Sequence, residues 1–248
     1  MYEVKGLIKA SKGDFILFLG GNSSGKTSLI YKLIGLKKSS YKIYLNNVLL
    51  ESNPLYFKDK VSFIDERITS FSKYVYEEIA MPIISKGYKF NIFNKMIDEV
   101  LGITNIGHLK YKRINSLTRY EKILVSLSKA LITRPQVLFI DDILKGINRE
   151  DKIKILKLLK EINKDLIVIM TSLDSLPLFF SDYNFLISKG NIILKGSKDT
   201  FLNKGNILLK NNINIDEVID SSIKLKDYKM LDNYYFDEDL MIGELWEK

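Results

Sequence analysis

The sequence predicts an α/β fold: a mostly parallel sheet covered on both faces, an antiparallel β portion near the N-terminus and an inserted block of helices. Three observations lead there. Wholly apolar short runs recur, namely Phe15-Ile16-Leu17-Phe18-Leu19, Val137-Leu138-Phe139-Ile140 and Leu166-Ile167-Val168-Ile169-Met170. A strand apolar at every position is one buried on both faces, as in parallel sheets. Amphipathic helical stretches separate these runs, the alternation that builds strand–helix–strand units. Between about Arg67 and Arg134 the strand signals stop and helical periodicity replaces them.

Taken in order, Tyr2 to Phe18 reads as a strand, a turn at Lys12-Gly13-Asp14 and a second strand. Next comes Gly20-Gly21-Asn22-Ser23-Ser24-Gly25-Lys26-Thr27, which opens an apolar-periodic run with Leu29, Ile30, Leu33 and Ile34 that stops at Gly35. This is G-x-x-x-x-G-K-[ST] between a strand and a helix. A glycine-serine turn alone could match by chance; the flanking strand and helix argue against that. Glycines let successive backbone N–H groups turn inward around phosphate oxygens, and the helix N-terminus adds partial positive charge. Gly20, Asn22, Ser23, Ser24, Gly25, Lys26, Thr27 and Ser28 are therefore the candidate nucleotide-binding residues. Lys26 is expected to reach the β/γ-phosphates and Thr27 to hold Mg²⁺.

Tyr41 to Leu45 and Val48 to Leu50 flank Asn46-Asn47, a hairpin signal because asparagine tolerates positive φ. Val61 to Ile64 is a further strand. Tyr74 to Ala80 reads as a helix that stops before Pro82. Ile92, Phe93, Met96, Ile97, Val100 and Leu101 form one face of a helix ended by Gly102. Leu117 to Leu131 is a longer helical stretch burying Leu124, Leu127 and Leu131, and Ile153 to Ile162 is another. Phe185 to Ser188 and Ile192 to Leu194, joined by Lys189-Gly190-Asn191, make a closing hairpin. Beyond residue 201 lies an appendix with a short helix carrying Ile215, Val218, Ile219 and Ile223, then an acidic, aromatic tail from Tyr234 to Asp239. The expected division is a core of residues 1–66 and 131–200, a helical subdomain of 67–130, and the appendix of 201–248.

The apolar strand from Val137 ends in Asp141-Asp142. Four apolar residues place Asp141 at the C-terminal edge of the sheet beside the phosphate loop, where it can coordinate Mg²⁺ with Thr27. Many buried strands end in aspartate, so the signal gains meaning only from the phosphate loop.

Composition bounds the rest. Of 248 residues, 46% are hydrophobic and 27% charged, a globular balance. Cysteine is absent, which fits a reducing cytoplasm. Met1 to Lys5 lacks the apolar core of a signal peptide, and no run approaches the ~18 apolar residues of a membrane span. Net charge is +8, with lysines scattered rather than clustered. Composition without function, a membrane-facing surface, and nucleic acid are the three readings of that charge, in that order.

On these motifs the chain resembles the ATP-binding subunits of ABC transporters, over about residues 6 to 200. Val75-Tyr76-Glu77-Glu78-Ile79-Ala80-Met81-Pro82 looks like the stretch after that family's glutamine loop. Leu117-Thr118-Arg119-Tyr120-Glu121 falls where the LSGGQ signature belongs, followed by a matching helix through Lys129-Ala130-Leu131 to Pro135. Gly196 to Phe201 and Ile215 to Val218 resemble the C-terminal segment of energy-coupling-factor (vitamin uptake) ATPases. The resemblance implies an ABC-type P-loop core with antiparallel β and helical subdomains, ATP and Mg²⁺ as cofactors, a second ABC ATPase subunit, and an integral membrane transporter subunit. It implies a location at the cytoplasmic face of the membrane and no nucleic-acid partner.

The same resemblance assigns catalytic roles to positions where this sequence departs from the family. Asp142 stands at the general-base glutamate, Ser172 at the switch histidine, and Glu66 at the nucleotide-sensing glutamine. Asp142 is one methylene short, and misplacement by about 1 Å can cost on the order of 100-fold in rate. Arg119 and Tyr120 replace the signature glycines that permit close approach to ATP on the opposite subunit. Arg119 is expected either as a solvated charge at a helix start or as a phosphate contact. Lys145-Gly146-Ile147-Asn148 alters the loop after Asp142. Tyr2 is the nearest aromatic for stacking adenine, though close to the phosphate loop, and His108, the single histidine, is expected on the surface. A homodimer would carry these departures twice in each pair of sites, so a heterodimer with slow hydrolysis is expected. A nucleotide-gated module without useful hydrolysis is the alternative, and a soluble cassette acting on ribosomes or DNA is a third reading.

Overall fold

The computed structural model describes residues 1–247. The N-terminal half contains β1 (Tyr2–Val4), β2 (Ile8–Ala10), β3 (Phe15–Leu19), α1 (Lys26–Leu33), β4 (Ile43–Leu45), β5 (Val48–Leu49), α2 (Pro54–Lys60) and β6 (Val61–Ile64). Three helices follow: α3 (Val75–Ser85), α4 (Phe93–Ile103) and α5 (Arg119–Leu131). Then come β7 (Val137–Asp141), α6 (Arg149–Ile162), β8 (Ile167–Ser172), β9 (Tyr183–Ser188) and β10 (Asn191–Gly196). The chain then continues through α7 (Lys198–Leu202), α8 (Gly205–Lys210), α9 (Glu217–Asp227) and α10 (Glu238–Glu247). Residue 248, the end of the expected appendix, lies outside the described residues.

The main sheet has six strands in the order β10-β9-β3-β8-β7-β6, parallel except for β10. A smaller four-stranded antiparallel sheet runs β2-β1-β4-β5. The wholly apolar strands behave as their composition requires. On β3, Phe15, Leu17 and Leu19 face the core shared with α3 to α6, while Ile16 and Phe18 face the core shared with α1 and the small sheet. Burial on both faces is why no polar residue interrupts the strand. Leu19 pairs with Ser172, and Asp141 with Thr171. The phosphate loop and the two carboxylates therefore leave the sheet at one edge, with β8 between their strands.

Two local readings are corrected, and helix α2 and the packing of the tail add to what the sequence showed. The first expected strand is a hairpin: Gly6 turns at φ +77° and the Leu7 N–H bonds to Val4 O at 2.9 Å. The helix expected to stop before Pro82 continues to Ser85, because Ile79 and Ile83 are both fully buried on one face against α5. That packing outweighs the hydrogen bond proline cannot donate. Helix α2 had no expected counterpart, although Asn53 caps it by accepting from the Tyr56 N–H and Pro54 takes the first helical position. The aromatic tail packs onto the rest of the chain. Tyr234 is buried, Phe236 packs on Phe179 and Phe180 with centroids 5.1 and 5.2 Å apart, and the Arg149 guanidinium holds both Asp216 and the Phe236 carbonyl.

The Asn46-Asn47 turn has φ of 49° and 65°, the positive values its hairpin requires. Among the described residues no helix is long and apolar enough to cross a membrane.

Candidate nucleotide site

The loop from Gly20 to Thr27 is shaped by its backbone contacts. Gly25 sits at φ +105° and starts α1 without any side-chain cap, so the first amides of the helix face outward unclaimed. A Cβ on Gly21 would stand 2.5 Å from Asn211 O, and one on Gly25 would stand 3.1 Å from Gly190 Cα. The Gly190 N–H bonds to Ser24 O at 2.8 Å, so the β9–β10 turn braces the loop. Among the described residues, Ser24 Oγ is the one buried side-chain polar atom without a hydrogen-bond partner. Uncapped amides and an orphaned hydroxyl in one loop form a cradle that fits phosphate oxygens. Asn22, Ser23, Thr27 and Ser28 are exposed along its open side.

Lys26 is nearly buried. Its Nζ donates to Gly20 O at 2.6 Å and Gly21 O at 3.1 Å and lies 3.7 Å from Asp142 Oδ2. Asp141 closes β7, 2% exposed, and its Oδ1 accepts from Thr171 Oγ1 at 2.6 Å. Thr171 also accepts the Asp142 N–H at 3.1 Å. Asp142 turns into the left-handed region at φ +47°, and its Oδ1 accepts the Leu173 N–H at 3.2 Å. Burial pushes the Asp142 carboxyl above its ordinary range; Lys26 and the Leu173 N–H oppose the rise, while Glu66 and Asp141 add to it. Among the described residues no group of three or more acidic, histidine or cysteine side chains converges. A hydroxyl and one carboxylate still suit Mg²⁺, which commonly takes one or two protein oxygens and completes its shell with phosphates and water.

The other expected positions land differently. Ser172 is fully buried, and its hydroxyl accepts the Asp174 N–H at 2.9 Å, so that oxygen already serves a local turn. Tyr2 is fully buried, with its hydroxyl on Leu33 O at 2.9 Å and its ring edge-on to Phe139. That placement removes it as an adenine-stacking surface: β1 runs through the interior of the small sheet. Glu66 pairs with Lys145, Nζ to Oε1 at 2.8 Å. His108 is exposed, as expected.

In the signature-like stretch, Leu117 is buried. Thr118 caps α5, accepting the Glu121 N–H at 3.2 Å while the Glu121 carboxylate accepts the Thr118 N–H at 2.7 Å. Tyr120 is half-buried beside Lys154. Arg119 is not a solvated helix-start charge. It is half-buried and donates to Lys145 O at 2.5 Å and Glu66 O at 3.3 Å.

The sequence marks Lys145 only as part of an altered loop, and it does not mark Thr171, Leu173 or the Asn211-Asn212 turn as part of the site. The contacts of these residues cross 26 to 190 positions of chain and carry no local spacing signal: Lys145 with Arg119 is the nearest in sequence and Asn211 with Gly21 the farthest.

With this geometry in hand, a family model described as "ABC transporter" matches residues 7–145. The energy-coupling factor transporter ATP-binding protein EcfA2 of Clostridium perfringens is 28% identical over 260 residues, covering 98% of this chain and 88% of that protein. The solved structure of cbiO1 from Clostridium perfringens, described as part of the ABC transporter complex cbiONQ, superposes with a TM-score of 0.74 at 23% identity, covering 89% of this chain and 90% of the other. A dimeric ATP-binding cassette in a post-hydrolysis state with ADP and Pi gives a TM-score of 0.69 at 18% identity, covering 77% and 88%. At these identities the two structures speak to the fold alone.

Proposed function

The chain belongs to the ABC transporter family, and on that premise we propose that it is the ATP-binding subunit of an energy-coupling-factor type uptake transporter, binding Mg-ATP at an interface with a second cassette. The observation that carries the reading is the joint placement of the Gly20–Thr27 cradle, Lys26, Asp141 and Asp142 at one sheet edge. Bound Mg-ATP would supply a polarised terminal phosphoryl group for transfer to water. The protein's part is to hold and orient. The amides of α1 and the Ser24 hydroxyl would hold phosphate oxygens, Lys26 would neutralise their charge, and Thr27 and Asp141 would supply the protein oxygens for the metal. Asp142, raised by burial above its ordinary range, is the carboxylate placed to accept a proton. Glu66 takes the sensing position of the glutamine, and Ser172 supports the segment after β8 through its turn.

Hydrolysis by the chain alone is slow in this reading, since Asp142 is short and held back by Leu173, and Arg119 and Tyr120 crowd the signature. A heterodimer with a better-preserved cassette meets each departure once. The membrane subunit supplies substrate specificity and holds the chain at the cytoplasmic face. Single-turnover measurement with Mg-ATP tests this: product should form, at well below ~10 per second. The engaged Ser172 hydroxyl favours the second reading, a nucleotide-gated assembly module, for which ATP is retained without product.

A further inference from the structure

Three segments distant in sequence close into a ring beside the site. Arg119, first residue of α5, donates from Nε to Lys145 O at 2.5 Å and from Nη2 to Glu66 O at 3.3 Å. Lys145 returns its Nζ to Glu66 Oε1 at 2.8 Å. A planar guanidinium carries donors on separate edges in a fixed fork, which suits two carbonyls on different loops. The loop after β7 is built to admit it. Gly146 has φ +77°, and a Cβ there would press on Arg119 Nε at 3.3 Å and Cδ at 3.4 Å.

The segment leaving Glu66 is under constraint along its length. Ile68, two residues on, is β-branched, buried and at φ +49°, and its N–H bonds to Asp65 O at 3.1 Å. A branched side chain in that backbone region is strained and persists only where the surroundings over-determine it. The far end is pinned by Glu78 of α3, whose carboxylate accepts the N–H groups of Phe71 and Ser72 at 2.9 Å each. A strained loop clamped to α3 at one end and to α5 through Arg119 at the other is a rigid connection between the helical layer and Glu66.

We propose that Arg119 and Lys145 are positioning residues that fix the Glu66 segment to the start of α5, the guanidinium through the Lys145 and Glu66 carbonyls and the Lys145 ammonium through the Glu66 carboxylate, so that a shift of the Glu66 segment is passed to the first turn of α5. This rests on the reading of Glu66 as a nucleotide-facing group. The ring itself is a property of the nucleotide-free chain and is tested separately.

Hydrogen–deuterium exchange on the full chain, with and without Mg-ATP, makes the test. Without nucleotide, Arg119→Ala raises exchange at residues 66–69 and 119–122 by about tenfold or more, as local opening predicts, while the rest of α3 and α4 keeps its protection. Lys145→Met raises exchange at 66–69 alone, and Arg119→Lys restores only part of what Arg119→Ala loses. With Mg-ATP, the wild-type change at 66–69 is accompanied by a change at 119–122; in Arg119→Ala the first remains and the second disappears. Unchanged exchange at both segments in nucleotide-free Arg119→Ala overturns the proposal, as does an equal response of 119–122 to Mg-ATP in variant and wild type. If Mg-ATP protects 20–28 in the wild type but leaves 66–69 untouched, the nucleotide-facing reading of Glu66 fails, and with it the coupling, even where the ring is upheld.

Discussion

Lys26 and Asp142 stand 3.7 Å apart, each with less than a tenth of its side chain open to solvent. The ammonium is also bound by Gly20 O and Gly21 O, and the carboxylate by the Leu173 N–H. The loop that should take phosphate and the carboxylate that should take a proton are thus already one electrostatic unit. Lys26→Ala is expected to weaken Mg-ATP binding by about 100-fold, the worth of one or two charge-assisted hydrogen bonds. Asp142→Asn should lower single-turnover hydrolysis by about 10²–10⁴ with a much smaller change in affinity. Asp142→Glu should raise the rate. Titration with a fluorescent ATP analogue, paired with quenched-flow product measurement, separates the two effects.

Gly21→Ala is expected to act at two places. The added carbon would lie 2.5 Å from Asn211 O, a backbone atom that yields only if the turn after α8 moves. That turn continues into Asn214, whose backbone pairs with Leu173 and Ser175. Nucleotide affinity should fall, and protease cleavage between α8 and α9 should accelerate. Lost affinity with an unaltered cleavage pattern would falsify the claim that the appendix rests on the loop.

Tyr2→Leu should cost stability without touching nucleotide binding. It removes a buried ring and the hydroxyl bond to Leu33 O, about 1–4 kcal/mol in all, or a few degrees in Tm for a chain of this size. Base–aromatic stacking is worth about 1–3 kcal/mol, so a stacking role would show as a drop of roughly five- to 150-fold in Mg-ATP affinity. Calorimetric titration decides it.

Acid stability should depend on Glu78. Burial alone would raise its carboxyl, yet the hydrogen bonds from Lys129 and from the Ser72 and Phe71 N–H groups bring it below its ordinary value of 4.5. A carboxyl depressed in the folded state contributes stability above its unfolded pKa and loses it as pH falls through the folded one. Glu78→Gln should therefore lower stability near neutrality and flatten its decline below about pH 4.5. Denaturant midpoints measured across the acid range check this; parallel curves for variant and wild type would sink it.

Much of the core was legible in sequence because it rests on local rules. The strands at Phe15, Val137 and Ile167 were visible as apolar runs, the Asn46-Asn47 turn as a pair tolerant of positive φ, and the phosphate loop as a spacing between strand and helix. Pro82 misled because helix propensity was weighed without the buried Ile79 and Ile83 that carry α3 onward. Tyr2 lies too close to the phosphate loop along the chain to stack adenine, and its burial under the small sheet agrees with that.

The sequence by itself determined that a glycine-rich loop would lead from β3 into α1 and that a buried strand would end at Asp141 with Asp142 directly after it, since both follow from residues within one or two turns of chain. It also determined where the signature differs, because Arg119 and Tyr120 are read directly. Only the tertiary structure decided what those differences do. That Asp142 meets Lys26 and that Arg119 reaches Lys145 and Glu66 depend mainly on strand order and the left-handed turns at Asp142 and Gly146. Most of these contacts join groups dozens of positions apart, whose meeting is set by packing rather than by spacing.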